Sequence, residues 1–219
     1  MFRMRTFFLF IVLLATASLA CQFSNPFAST PAPVAQPGDT LFYDDFSNPA
    51  TGWERFTSAE GTMDYDGGGY RFLVNALQAN FWSTPGKSFK DVRMEVDVAK
   101  LSGPDENRIG LVCRFLENNY YFFMVSSDGY YTIGKYIGGN ALQLGQSEMQ
   151  YNDSIHTGLA VNHLRADCVG NSLTFYVNGD PVAQAQDTDL VEGDVGLLAG
   201  TFTQPGVDVI FDNFVVLQP

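Results

Sequence analysis

The sequence predicts an all-β protein, a sandwich of two antiparallel sheets of the jelly-roll type, and three observations support this fold class. Short segments that alternate apolar and polar residues recur at even spacing from residue 40 to the end of the chain. Turn sequences rich in glycine separate them, and the chain contains 21 glycines. Apolar residues do not recur at helical spacing over any useful length. These features favour two packed sheets over a fold that contains helices.

The segment from Asn107 to Gly139 is predicted to form the middle of one sheet. It reads as three antiparallel strands joined by tight turns at Glu117–Asn119 and Ser127–Gly129. The middle strand, Tyr120–Val125, is apolar on both faces, which is typical of a central strand that has a second sheet beneath it and something other than open water above it. The first strand is expected to place four apolar residues on one face: Ile109, Leu111, Cys113 and Phe115.

The chain begins with features of an export signal. Two arginines precede an unbroken apolar run from Phe7 to Leu14, and small residues follow up to Cys21, so residues 1–20 are predicted to be a signal peptide. The residues around Cys21 resemble a bacterial lipobox, which predicts lipid modification of Cys21 and a cell-surface lipoprotein. Secretion after ordinary cleavage is the alternative, because Ser18 stands where such motifs most often have leucine.

Residues 21–39 are predicted to be a linker that joins this anchor to a single folded domain, residues 40–219. The linker contains four prolines among serine, threonine, alanine and glutamine, with almost no charge. Proline-rich segments of this kind stay extended. The length that remains is typical of one domain.

Alternating segments divide residues 40–219 into strands. Lys90–Lys100 alternates most clearly, with Val92 and Met94 predicted inward and Arg93 outward. The Asn178-Gly179 pair is a typical hairpin turn. The predicted strands outside residues 107–139 are Thr40–Phe46, Gly52–Phe56, Tyr70–Val74, Ala79–Ser83, Lys90–Lys100, Ala160–Val169, Ser172–Val177, Asp194–Phe202 and Val207–Leu217.

The charge of the chain argues against one class of partner. Its formal net charge is −12, from 24 acidic and 12 basic residues. A surface of this sign repels phosphate backbones, so we expect no nucleic-acid binding. Contact with a membrane is expected only through the lipid anchor.

Several segments together resemble one superfamily. They are LFYDDFSNPATGW at the start of the domain, GLVCRF and YYFFMVSSDGYYTIGKY in its middle, LTFYVNG, and GDVGLLAGTFTQPGVDVIFDNFVV at its end. The chain is similar to the concanavalin A-like lectin/glucanase superfamily, and within it to laminin-G-like and 3-keto-disaccharide hydrolase-like domains of bacterial surface proteins. The resemblance spans residues 40–217 and rests on framework motifs. It implies a curved two-sheet jelly roll in which the first strand pairs near the last.

Two cysteines remain once Cys21 is assigned to the anchor. The alternation of their strands predicts that Cys113 and Cys168 both point into the core. Exported proteins mature in oxidising surroundings, where an even pair of cysteines usually forms a disulfide. The sequence therefore predicts a Cys113–Cys168 bridge, and two separate buried thiols are the alternative.

Acidic residues near the two ends of the domain raise the question of a metal. If the first and last strands are neighbours, as the resemblance implies, Asp44, Asp45 and Asp212 could supply oxygen ligands to calcium. The alternative is that these residues cap turns and keep an edge strand soluble. Structural calcium is the one cofactor that the sequence suggests.

The carboxylates on the Lys90–Lys100 segment do not form a complete hydrolytic set. β-Glucanases of the superfamily carry a Glu-x-Asp-x-x-Glu strand, and this chain has Glu95, Asp97 and then Lys100. A retaining glycosidase needs two carboxyl groups, one as nucleophile and one as acid. Because a cation replaces the second glutamate, no catalytic residue is predicted.

Aromatic residues on and near the central segment suggest a binding surface. Sugar recognition uses flat rings for apolar sugar faces and a few polar groups for hydroxyls. The sequence therefore predicts a non-catalytic module, anchored at the cell surface, that recognises a carbohydrate or another surface polymer on its concave sheet. The residues predicted to contact the ligand are Trp82, Arg114, Tyr120, Phe122, Tyr131 and Lys135.

Two other functions stay open from the sequence. A hydrolase acting on a modified disaccharide would need carboxylates that converge in one pocket, and Glu95, Asp97 and Asp128 are the available acids. A structural spacer domain would have a filled or flat outer face and bind no ligand. Within a hairpin, the number of turn residues decides which of Tyr120 and Tyr121 faces outward.

Overall fold

The computed structural model describes residues 35–219. The predicted signal peptide, Cys21 and the predicted linker up to residue 34 lie outside the described residues, so these assignments stay predictions. Among residues 35–219, no helix is long and apolar enough to cross a membrane.

The described residues form two antiparallel sheets, which confirms the predicted all-β sandwich. The strands are β1 (Thr40–Asp44), β2 (Phe56–Ser58), β3 (Gly61–Asp66), β4 (Gly69–Val74), β5 (Asn80–Ser83), β6 (Ser88–Phe89), β7 (Val92–Ser102), β8 (Asn107–Leu116), β9 (Asn119–Val125), β10 (Tyr130–Ile137), β11 (Asn140–Gln143), β12 (Gln150–Tyr151), β13 (Val161–Val169), β14 (Ser172–Val177), β15 (Asp180–Gln186), β16 (Gly193–Thr201) and β17 (Val207–Leu217). Sheet A has the order β15-β14-β13-β7-β17-β4-β3-β2, with β1 also paired to β17. Sheet B has the order β11-β10-β9-β8-β16-β5, with β12 paired to β10 and β6 paired to β16.

The last strand occupies the middle of sheet A. β17 pairs with β7 on one side and with β4 and β1 on the other, so the first and last strands are neighbours. Backbone hydrogen bonds join Gly38 and Asp39 to Gln218, at 2.8 and 2.9 Å. The folded part therefore begins a few residues before residue 40, inside the segment predicted to be linker.

Apolar side chains of both sheets fill the space between them. The predicted alternation of β7 is confirmed, because Val92, Met94, Val96 and Val98 are all buried. One correction concerns residues 52–55, which form a connection and not the predicted strand. Gly52 has a φ of 107° there, and the indole of Trp53 is buried and donates to the Asp44 carboxylate at 2.8 Å. This buried hydrogen bond holds the loop on the core and replaces strand pairing.

A disulfide joins the two sheets through the core. Cys113 of β8 and Cys168 of β13 are bonded with an S–S distance of 2.07 Å, and neither side chain is exposed. The predicted bridge is confirmed. Because β8 belongs to sheet B and β13 to sheet A, the bond fixes the two layers together.

A β-bulge in β8 overturns part of the predicted alternation. Ile109, Leu111 and Cys113 point into the core as expected. Arg114 has a φ of 53°, and the register between β8 and β9 shifts between Cys113 and Leu116. An extra residue reverses the facing of those that follow it. Phe115 therefore lies on the opposite face from Cys113, where the sequence had placed both together.

Candidate functional site

The candidate site lies on the outer face of sheet B, the face turned away from sheet A. Residues Glu117 and Asn118 form a two-residue turn with φ values of 50° and 62°, and Leu116 pairs with Asn119. Such a turn fixes the hairpin register. It directs Tyr121, and the core residues alternating with it, inward and Tyr120 outward.

The outer face carries its own apolar cluster. Tyr120 stacks on Phe115 with ring centroids 5.6 Å apart and on Tyr136 at 5.4 Å, and its centroid lies 6.1 Å from that of Trp82. We call this group the outer cluster; its members are Trp82, Val112, Phe115, Tyr120, Phe122, Met124, Tyr136 and Leu198.

The side chains in the middle of the outer cluster are closed to solvent although no second sheet packs on them. Val112 and Leu198 have no exposed surface, and Tyr120 is 2% exposed. These residues face away from sheet A and pack against the surrounding side chains of the outer cluster. The face is therefore filled at its centre.

Glycines on this face allow the rings to sit close to the backbone. A Cβ at Gly134 would lie 2.1 Å from Cζ of Phe122, so the Phe122 ring occupies the place that a side chain on β10 would take. A Cβ at Gly200 would lie 2.3 Å from Oδ1 of Asn80. Small residues at these positions are what lets neighbouring side chains reach across a strand.

One end of the outer cluster opens into a groove. Trp82 and Phe115 are only partly buried and form one wall of a groove of about 550 Å³. The groove runs beside β5, the edge strand of sheet B, towards β2 and β3 at the edge of sheet A. Its lining residues are Gly52, Glu54, Phe56, Met63, Asn80, Phe81, Trp82, Ser83, Thr84, Phe115 and Asn118.

Buried hydrogen bonds make the back of this groove rigid. Ser83 Oγ accepts from the backbone N–H of Glu54 at 2.9 Å and from the hydroxyl of Tyr70 at 2.9 Å. The Tyr70 hydroxyl also contacts the Glu54 carbonyl. Burial raises the pKa of Tyr70 well above its usual value, so this hydroxyl stays protonated at physiological pH.

A half-buried arginine lies on the same face beside the cluster. Arg108 Nη1 donates to Asn80 Oδ1 at 3.0 Å, and the Arg108 guanidinium carbon lies 4.1 Å from the centroid of the Phe202 ring. Burial lowers the pKa of Arg108, and the neighbouring Tyr120 and Glu106 act in the opposite direction. This is the one cationic side chain that the strand register places on the outer face within residues 35–219.

The structure brings three of the six predicted ligand contacts to this face. Trp82 lines the groove, while Tyr120 and Phe122 belong to the outer cluster and are 2% and 5% exposed. Trp82 is therefore available to a ligand. Tyr120 and Phe122 support the exposed rings from below.

The structure corrects the prediction that Arg114 contacts a ligand. The bulge turns it away from the outer face, and it is 2% exposed. Its guanidinium donates to the backbone carbonyls of Leu190 and Gly170 at 2.8 Å each and of Lys90 at 3.2 Å, and it pairs with Asp91 at 3.4 Å. These contacts join β8 to three loops, so Arg114 is structural.

The structure also corrects the predictions that Lys135 and Tyr131 contact a ligand. Both side chains point to the inner side of β10. Lys135 Nζ lies 2.5 Å from Asp187 and 2.6 Å from Asp189, and these hydrogen bonds raise the pKa of Lys135 to about 12. Burial alone would raise the pKa of Asp187, but hydrogen bonds from Lys135 and Tyr121 outweigh it and leave that pKa lowered. Tyr131 packs partly buried against the main core.

The three aspartates predicted to bind calcium do not converge. Asp44 is buried and accepts from the indole of Trp53 and the backbone N–H of Phe46, Asp45 accepts from Ser47, and Asp212 accepts from the backbone of Asn213. Within residues 35–219, no group of three or more His, Cys, Asp or Glu side chains is placed to hold a metal ion. These contacts correspond to the turn-capping alternative, and calcium binding stays a prediction.

The carboxylates considered for hydrolysis lie on different sheets. Glu95 and Asp97 are on the outer face of sheet A, where His163 lies 3.5 Å from the first and 2.8 Å from the second. Asp128 is in the turn between β9 and β10 of sheet B. Lys100 is buried and pairs with Asp105. The described residues therefore do not assemble the pocket that a hydrolase of this design requires.

The residues of the site that escaped prediction include Glu54, Asn80, Arg108, Phe115 and Asn118. Arg108 and Ile109 are successive residues of β8, so they lie on opposite faces of the strand. The outward position of Arg108 could therefore have been predicted from the sequence. The facing of Phe115 was predicted wrongly because the bulge in β8 reverses it. Asn80 and Glu54 join the site through pairing of β5 with β16 and through a loop, and neither leaves a local pattern.

Comparison with known proteins supports the fold. No protein-family model matches the sequence, and no curated protein matches it. Among solved structures, the carbohydrate-binding module CBM66 from Bacillus subtilis is similar with a TM-score of 0.63 and 19% identity, over 77% of this chain and 96% of that chain.

Two further structures have the same architecture. A protein of unknown function with a galectin-like fold from Bacillus subtilis matches with a TM-score of 0.60 and 13% identity, over 84% of this chain and 98% of that one. A β-glucanase from Bacillus licheniformis matches with a TM-score of 0.59 and 12% identity, over 84% of this chain and all of that one (100%). At such low identities the likeness shows the fold alone.

Proposed function

We propose that this chain is a non-catalytic carbohydrate-binding module whose ligand stacks on Trp82 beside Phe115. The observation that carries the proposal is the groove of about 550 Å³ in which these two partly exposed rings stand next to polar groups. Rings of this kind suit the apolar faces of sugars, and nearby amides and carboxylates suit their hydroxyls. Asn80, Glu54 and Asn118 supply such groups along the same groove.

The packing around Trp82 favours a preformed site. Its ring rests on Tyr120, which is itself held between Phe115 and Tyr136. Ser83, the next residue of β5, is fixed by Tyr70 and Glu54. A ligand would therefore meet rings that are already ordered, and little conformational entropy would be lost on binding.

A carbohydrate-binding module among the structural neighbours agrees with this proposal, as does the presence of a glucanase. A hydrolytic role gains less support, because Glu95 and Asp97 lie on the other sheet and Asp128 is in a turn of sheet B. A spacer without a ligand is the function that remains if no carbohydrate binds.

Replacing Trp82 with alanine is expected to weaken carbohydrate binding by about 30-fold or more, the effect of losing a central aromatic contact. The measurement is affinity gel electrophoresis of the full chain against laminarin, xylan, levan, dextran and polygalacturonate, followed by calorimetry on any that bind. Trp82→Phe should recover part of the affinity, because it restores a flat ring.

Tyr176→Ala is the matched control, since Tyr176 is a partly exposed ring on β14 of sheet A. It should leave binding unchanged. Urea unfolding of each variant separates loss of binding from loss of fold. Equal weakening by both alanine variants, or no binding of any polysaccharide by the wild type, would contradict the proposal.

We also propose that the module is held at the cell surface through lipid on Cys21. The support is the lipobox-like sequence together with the disulfide, which is typical of exported proteins. Cys21→Ser should move the protein from the membrane fraction to the soluble fraction of the cells that express it. Membrane association that persists in this variant would rule out Cys21 as the anchor.

A further inference from the structure

We infer that the carbohydrate bound at this site carries an anionic group, a carboxylate or a sulfate, and that Arg108 binds it. This inference deepens the proposed function and rests on it. It begins with the position of Arg108, which lies on the outer face of sheet B beside the groove.

Arg108 differs from the other arginines of the described part of the chain. Each of the others has an aspartate within 4.0 Å: Arg55, Arg71, Arg93, Arg114 and Arg165. Arg108 has no carboxylate within that distance among residues 35–219; its hydrogen-bond acceptor is the neutral amide of Asn80. In a chain with 24 acidic residues, a half-buried guanidinium that lacks an acid partner is ready to bind an external anion.

The surroundings of Arg108 hold it in one place. Gly200 lies between Arg108 and Asn80 in the strand register, and a Cβ there would collide with Asn80 Oδ1 at 2.3 Å. The glycine thus allows the side chain of Asn80 to meet the guanidinium across β16. The ring of Phe202 stacks against the other side of the guanidinium, at 4.1 Å. Arg108 is therefore fixed by neutral partners that do not use up its charge.

The partial burial of Arg108 favours the binding of an anion. Removal from water lowers the pKa of Arg108, which means that its charged form is under-solvated. An anion beside it would replace the lost solvation and form charge-assisted hydrogen bonds with the remaining N–H groups. Glu106 acts on Arg108 electrostatically but lies beyond 4.0 Å, so it leaves the guanidinium open.

The distance to the stacking ring suits one ligand that makes both contacts. Trp82 and Asn80 are on the same face of β5, two residues apart, which corresponds to about 7 Å along the strand. The guanidinium sits beside Asn80, so a sugar stacked on Trp82 would place an acidic substituent, or that of the next residue, near Arg108. Between Trp82 and Arg108 the register places Asn80, Gly110, Leu198 and Gly200 on this face, and none of them is charged. The acids nearby are Asp194, which pairs with Phe115 towards the other end of β16, and Glu54 in the groove lining.

The test compares ligands that differ in charge alone. Calorimetry of the full chain with polygalacturonate and with its methyl-esterified form tests the carboxylate, and dextran sulfate against dextran tests the sulfate. We expect at least about tenfold tighter binding of one acidic polymer than of its neutral partner. Because the protein is strongly acidic overall, general charge attraction cannot produce this preference.

Arg108→Gln should remove the preference, so that the acidic polymer and its neutral partner bind this variant within about twofold of each other. Arg165→Gln is the control, because its guanidinium also stacks at 4.1 Å on a ring, that of Tyr176, on the outer face of sheet A. Asn80→Asp is a second test that keeps Arg108 in place and supplies a carboxylate to it, so it too should remove the preference.

The outcomes separate the two proposals. Equal binding of charged and neutral polymers, or the same loss from Arg108→Gln and Arg165→Gln, would overturn the inference while Trp82-dependent binding stands. Failure of every polymer to bind the wild type would overturn the proposed function and this inference together. Loss of the acidic preference in both Arg108→Gln and Asn80→Asp, together with weaker binding of every polymer by Trp82→Ala, supports both.

Discussion

Removing the disulfide between Cys113 and Cys168 is expected to lower the free energy of unfolding by about 4 kcal/mol. The bridge closes a loop with a sequence separation of 55 residues, and loop-closure entropy for that length gives about this value. The bond also joins the two sheets, so its loss frees each layer to separate in the unfolded ensemble. The measurement is the urea midpoint of the Cys113→Ala/Cys168→Ala double variant, compared with the wild type.

Reduction of the wild type supplies the control for this prediction. Both cysteines are fully buried, so the alanine variant loses some packing as well as the bond. Chemical reduction under denaturing conditions, followed by refolding with reductant present, keeps both sulfur atoms. A reduced wild type that unfolds at the same urea concentration as the oxidised form would contradict the predicted contribution of the bridge.

Replacing Arg114 with methionine is expected to lower the free energy of unfolding by about 4 kcal/mol. Methionine has similar bulk but donates no hydrogen bond, so the carbonyls of Lys90, Gly170 and Leu190 lose their charged donor in a buried place. Asp91 loses its cation as well. The measurement is equilibrium unfolding in urea, with the slope of the transition checked against the wild type.

Arg55→Met is the matched control for Arg114. The Arg55 side chain is 60% exposed and pairs with Asp64 at the surface, where solvent screens the pair and its loss costs little stability. If Arg114→Met kept wild-type stability and instead weakened carbohydrate binding, the sequence prediction for Arg114 would be right and the structural role wrong. Both readouts are therefore needed for this variant.

The fold could be predicted from the sequence because its signals are local. The alternation in β7 gave the correct facing of Val92 and Met94, and alternation in β8 and β13 brought Cys113 and Cys168 into the core. The strand predicted over residues 52–55 was wrong because Trp53 is apolar, as many residues of a buried strand are. In the structure its indole is instead held by the buried Asp44 carboxylate.

The candidate site was harder to predict because its geometry depends on non-local pairing. Trp82 meets Phe115 and Tyr120 only because β16, far along the chain, pairs with β5 on one side and with β8 on the other. The bulge at Arg114 exchanged the faces of a predicted ligand contact and a predicted core residue. One extra backbone residue was enough for this, since facing in a strand has a period of two.

The central position of β17 determines when the chain can fold. Until the last strand is available, β7 on one side and β4 with β1 on the other present open hydrogen-bonding edges, and sheet A exists as two separate halves. Pairings this distant along the chain form slowly, because a long loop must close first. We therefore expect sheet A to close only after residues 207–217 have been synthesised.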